Sequence, residues 1–63
     1  MTTAERIRQA AAQYATYIDA AASADMCLQQ LSDYMAGRNE PSLRTIRRLA
    51  AAWGVPVGEL VGY

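Results

Sequence analysis

The residues able to do chemistry in this sequence are few and unevenly spread. Its 63 residues hold one cysteine, Cys27, and no histidine. A lone thiol cannot close an intramolecular disulfide, and without an imidazole neither a zinc site nor a base-activated nucleophile can be assembled. Cys27 therefore reads as a plain small residue. The chain reads as a non-enzyme needing no metal and no cofactor. Every basic residue is an arginine: Arg6, Arg8, Arg38, Arg44, Arg47 and Arg48. Planar guanidinium groups favour bidentate contact with phosphate or carboxylate over diffuse charge.

Net charge is zero, which argues against indiscriminate attraction to nucleic acid, but the distribution matters more than the sum. Residues 1–35 set Glu5, Asp19, Asp25 and Asp33 against Arg6 and Arg8, a balance of −2. Residues 36–63 set Arg38, Arg44, Arg47 and Arg48 against Glu40 and Glu59, a balance of +2. Arg44, Arg47 and Arg48 share one helix face by their spacing, and for the last two a solvated stripe is sufficient explanation.

These side chains must be held by a small scaffold. A domain of this size buries only about 60% of the surface its unfolded chain exposes, so its stability margin is thin. With 52% apolar residues, the composition is still that of a compact fold, and one domain over residues 1–63 is expected. No basic segment followed by an apolar core opens the chain, and no apolar run approaches the roughly 20 residues that span a bilayer. A cytoplasmic protein with no membrane partner and no small-molecule ligand is expected.

From Ala4 to Ala24 the chain is rich in helix formers, with Ile7, Ala11, Tyr14 and Ile18 on one helical face. No Gly or Pro interrupts this stretch, so one helix and two both fit. Thr16 favours two, as an N-cap starting a second helix at Tyr17. Past Asp25, Met26, Leu31, Tyr34 and Met35 repeat at helical spacing until Gly37, which tolerates a left-handed backbone. Arg38 to Pro41 is a polar loop. Ser42 then caps a helix carrying Leu43, Ile46, Leu49, Ala50 and Trp53, ended by Gly54. Val55-Pro56 is an extended link into a last helical turn from Val57 to Val61. An all-α cluster of five short helices follows, its core expected from Ile7, Tyr14, Ile18, Leu31, Tyr34, Leu43, Ile46, Leu49, Trp53, Val55 and Leu60.

The run from Leu31 to Leu43, followed by Ile46, Leu49-Ala50, Trp53-Gly54-Val55-Pro56 and Glu59-Leu60, resembles the second half of the lambda-repressor-like family, the Cro and XRE type. It is similar in its apolar-Ser pair, the Gly ending one helix, the Pro-Ser-Leu leading into helix four and the Trp-Gly-Val link into helix five. Carried upstream, the helix-turn-helix window falls at Tyr17 to Ala36. Its apolar positions land on Ala20, Ala24, Met26, Leu31 and Tyr34, and the small contact residue lands on Ala21. Two positions depart from the pattern: Asp25 stands where the turn usually has Gly, and Cys27 where a Ser or Thr cap is expected. Glu5 to Arg8 also resembles the family's first helix, one residue out of register.

The resemblance implies a compact five-helix, DNA-binding domain whose recognition helix, about residues 27–35, enters the major groove of double-stranded DNA. Its outward positions are Cys27, Leu28, Gln29, Ser32 and Asp33. Gln29 is the expected base reader, since its amide can pair bidentately with adenine; Leu28 can meet a thymine methyl, Asp33 can accept from cytosine, and Ser32 is a milder contact. Phosphate contacts are implied for Tyr17, Arg38, Asn39 and Arg44. Val57, Val61 and Tyr63 cannot all reach so small a core, and a homodimer through helix five is expected. The role implied is transcription regulation, as a Cro-like protein or repressor domain. The alternative is a protein-interaction module on the same fold, an antitoxin-like or anti-repressor partner, which the zero net charge, Leu28 and Asp33 favour.

Overall fold

A computed structural model describes residues 2–61, which contain five α-helices and no strand. The all-α expectation holds, and most boundaries follow local capping chemistry. α1 (Thr3–Ala11) opens with a capping box absent from the sequence reading above. The Glu5 backbone N–H donates to the Thr2 hydroxyl, while the Glu5 carboxylate accepts from the Thr2 backbone N–H, each at 3.2 Å. α2 (Tyr17–Ser23) starts at Thr16, whose hydroxyl accepts from Asp19 N–H at 3.2 Å, so the stretch up to Ala24 is two helices. α3 (Leu28–Ala36) and α4 (Leu43–Trp53) end at Gly37 and Gly54, with φ of +78° and +69°. Only glycine occupies this left-handed region without steric cost, which makes both residues effective stops. α5 (Val57–Val61) follows Pro56.

No Gly or Pro breaks the chain between α1 and α2; tertiary contacts do. After Ala11 the backbone tightens into short turns, with Gln13 N–H bonding Ala10 C=O and Tyr14 N–H bonding Ala11 C=O. Gln13 then donates its side-chain amide to the Trp53 carbonyl at 3.1 Å, satisfying an end carbonyl of α4. The Tyr14 ring packs on Trp53 with centroids 6.4 Å apart and planes tilted by 55°.

The core takes one fully buried aliphatic side chain from each of four helices: Ile7, Leu31, Leu49 and Leu60. α2 gives only Ala20 and Ala21, joined by its cap residue Ala24, and small residues let it lie close to α3 and α4. Trp53 fixes this approach, its indole N–H donating to the Ala20 carbonyl at 3.0 Å. α1 packs on α3 and α5, and α4 packs on α5, within a volume of 26 × 24 × 19 Å.

Two expected core residues are corrected. Ile18 is 62% exposed, because the break at residues 12–16 resets the helical phase and turns the alanine face of α2 inward. Leu43 is 51% exposed: it shares a face with Ile46 and Ala50 but is the first residue of α4, at the helix end. Tyr14 and Val55 are half-buried against the core, and Met35 joins it.

Candidate nucleic-acid interface

The α2–α3 turn is built from compact backbone bonds. Met26 N–H returns to the Ala21 carbonyl at 3.0 Å, and Asp25 takes a left-handed conformation with φ of +56°. Asp tolerates this region better than most side chains, which explains how it stands in for the usual glycine. From α4, the Arg48 guanidinium donates to the Asp25 backbone carbonyl at 3.1 Å and meets its carboxylate at 3.4 Å. Arg48 is therefore a brace for the turn. A stripe of arginines in the sequence contained no sign of this, since the partner lies 23 positions away.

α3 buries Leu31, Tyr34 and Met35 and turns Leu28, Gln29 and Gln30 outward, with Ser32 and Asp33 half-covered. Cys27, its N-cap, is exposed and makes no side-chain cap bond. A thiol is a weak acceptor, so the departure seen in sequence is a missing interaction in space. Gln30, overlooked by the sequence reading, is exposed on the same helix and donates to the Tyr34 hydroxyl at 3.1 Å.

Five of the sequence-derived candidates meet in one hydrogen-bonded group around Asp33. Its Oδ1 accepts from Gln29 Nε2 at 3.1 Å and from Arg38 Nε at 2.9 Å, and its Oδ2 accepts from Asn39 Nδ2 at 3.4 Å. Arg38 also reaches the Ser32 hydroxyl at 3.5 Å. The Asp33 main-chain carbonyl takes the N–H groups of Arg38 and Asn39. Leu28, 40% exposed, directly precedes Gln29 at the N-terminal end of this group. Tyr17, 46% exposed, opens α2, and Arg44 is exposed in the first turn of α4; neither joins the network. Among the described residues, Arg44 and Arg47 have no ion-pair partner, so their charge faces solvent undiminished.

Val57 and Val61 are half-buried against the core beside fully buried Leu60. Tyr63 lies outside the described residues. The described residues contain no cluster of three or more metal-binding side chains and no helix long and apolar enough to cross a membrane.

Two helices joined by a tight turn, the second buried along one side and exposed along the other, define a helix-turn-helix domain of the DNA-binding class. The chain belongs to the Cro/C1-type, lambda-repressor-like helix-turn-helix family, whose family model matches residues 5–60. No curated protein and no solved structure gives a match.

Proposed function

We propose that this protein is a transcriptional regulator that binds duplex DNA sequence-specifically, with α3 in the major groove. The observation that carries the reading is the outward face of α3. Leu28, Gln29 and Ser32 stand on a helix whose opposite face is locked into the core, the rigid presentation that base readout needs. Gln29 pairs with adenine, Leu28 packs on a thymine methyl and Ser32 adds a polar contact. Tyr17, Arg38, Asn39 and Arg44, at the ends of α2, α3 and α4, hold the phosphates on either side. Two copies associate through α5, with Val57 and Val61 at the two-fold axis. Their sites are palindromic, with half-sites about 10–10.5 bp apart.

Selection from random duplexes tests this reading. Recovery of a two-fold symmetric consensus supports it. No enrichment even at low salt overturns it, and leaves the same fold serving a protein partner.

A further inference from the structure

Asp33 is acidic, lies on the face of α3 that meets DNA under the reading above, and is surrounded by donors. Bare carboxylates repel phosphates, so its presence there calls for a physical reason. Its side chain is 22% exposed, against 58% for the Arg38 side chain that covers it. Of the roughly four lone-pair positions on a carboxylate, most are taken by Gln29, Arg38 and Asn39. Little acceptor capacity remains for a cytosine amino group.

We propose that Asp33 is a positioning residue of the DNA interface: it orients Gln29 and the Arg38–Asn39 loop and cancels the Arg38 charge, raising sequence discrimination while lowering affinity for DNA at large. The inference rests on the DNA-binding reading. Its first half follows from the Gln29 amide. One Nε2 hydrogen is held by Asp33, which leaves the other hydrogen and Oε1 for the N7 and N6 positions of adenine. The bond thus selects one of the two ways a broad terminal torsion can present the amide. The second half follows from the ion pair. Arg38 and Asp33 meet at 2.9 Å and are together neutral, so Arg38 brings directional hydrogen bonds to a phosphate without a full unit of counterion release. The neutral overall charge of the chain fits a protein that relies on fit over bulk attraction.

Asp33→Asn keeps the shape and removes the charge. Its amide has one neutral acceptor oxygen where the carboxylate has two charged ones, so Gln29, Arg38 and Asn39 compete for it and the hold on each weakens. Binding is measured for the wild type and this variant on the selected duplex and on an unrelated one, over a salt series, together with the thermal midpoint. The expected result on unrelated DNA is about threefold or more tighter binding at low salt and a salt slope steeper by about one unit. Preference for the selected duplex falls by roughly tenfold, with choice relaxed at the base read by Gln29.

The double variant Asp33→Asn/Arg38→Ala removes the pair as a neutral unit. Its salt slope is expected to match the wild type, because the pair it removes carries no net charge. A double-variant slope shallower by about one unit overturns the proposal, because Arg38 would then be an independent phosphate cation. A loss confined to one further base position, with unrelated DNA unaffected, overturns it in favour of direct reading by Asp33. Uniformly weaker binding with a lowered midpoint, or no change at all, overturns it while leaving the DNA reading intact. A wild type that binds neither duplex overturns the DNA reading itself, and the inference with it.

Discussion

Gln29 and Arg44 are both exposed polar residues in the first turn of a helix, yet they answer to different parts of a duplex. Gln29 lies on the groove face of α3, and Arg44 follows the loop, where the backbone is the nearest acceptor. Gln29→Ala is therefore expected to weaken the preferred site by about 1–3 kcal/mol and leave unrelated DNA almost unaffected. Arg44→Ala weakens all sequences alike and makes the salt slope shallower by about one unit. Titrations on matched and unrelated duplexes separate the two, and equal losses at every site and salt concentration would show the register of α3 to be wrong.

Glu5 supplies a pH signature of a different kind. Its bonds with the Thr2 backbone N–H, and secondarily with the Thr2 hydroxyl, hold its carboxyl below the usual 4.5. A depressed folded-state value means that the stabilisation is fully present above the ordinary carboxylate range and is lost as pH falls through the lower folded value. Glu5→Ala should flatten the fall in thermal midpoint as pH drops below the ordinary carboxylate range, and a profile parallel to the wild type would remove Glu5 as its source.

At the scale of the element, α3 begins with two compromises. Its N-cap, Cys27, leaves an end N–H without a side-chain acceptor. Cys27→Ser is expected to add about 1 kcal/mol, read as an upward shift of roughly 4–8 °C in a domain of this size. An unchanged midpoint would mean that water satisfies the cap equally well. Before it, Asp25 holds a left-handed conformation with its side chain in solvent, where the 3.4 Å ion pair with Arg48 adds little, so the backbone dominates the effect of substitution there. Urea unfolding should find Asp25→Gly within about 0.5 kcal/mol of the wild type and Asp25→Val about 1–2 kcal/mol less stable. Similar values for the two would mean that strain at this turn is not what distinguishes them.

For the whole molecule, the decisive quantity is how few large side chains close the core. Among the described residues, Ile7, Leu31, Leu49 and Leu60 are its fully buried large side chains, and each belongs to a different helix. Truncating any of them loosens several helices at once. Leu49→Ala costs about 2–5 kcal/mol, against a total of about 3–5 kcal/mol from a single core of this size. The variant should lose most of its stability, with a thermal midpoint far below the wild type by circular dichroism, and a cooperative transition near the wild-type midpoint would show that the core has more reserve than its size implies.

The helix ends at Gly37, Ser42 and Gly54 were determined by the sequence alone, because capping depends on side chains within three or four residues of the bond they make, whereas Thr16 favoured a second helix without settling it. The inward positions of α3 and of most of α4 were legible for the same kind of reason, since a 3.6-residue period carries its own phase. That phase is lost wherever the chain turns, and so Ile18 was assigned to a core that α2 fills with alanine. Tertiary structure also decided the end of α1, where Gln13 and Tyr14 are held by Trp53, and the brace from Arg48 to Asp25. It decided the group around Asp33 as well, although all its members lie between residues 29 and 39. Sequence placed Gln29 and Asp33 one helical turn apart. Only the left-handed turn at Gly37 brings Arg38 and Asn39 back onto the same carboxylate, because a reversal of the backbone, unlike a helix, has no period from which side-chain neighbours can be read.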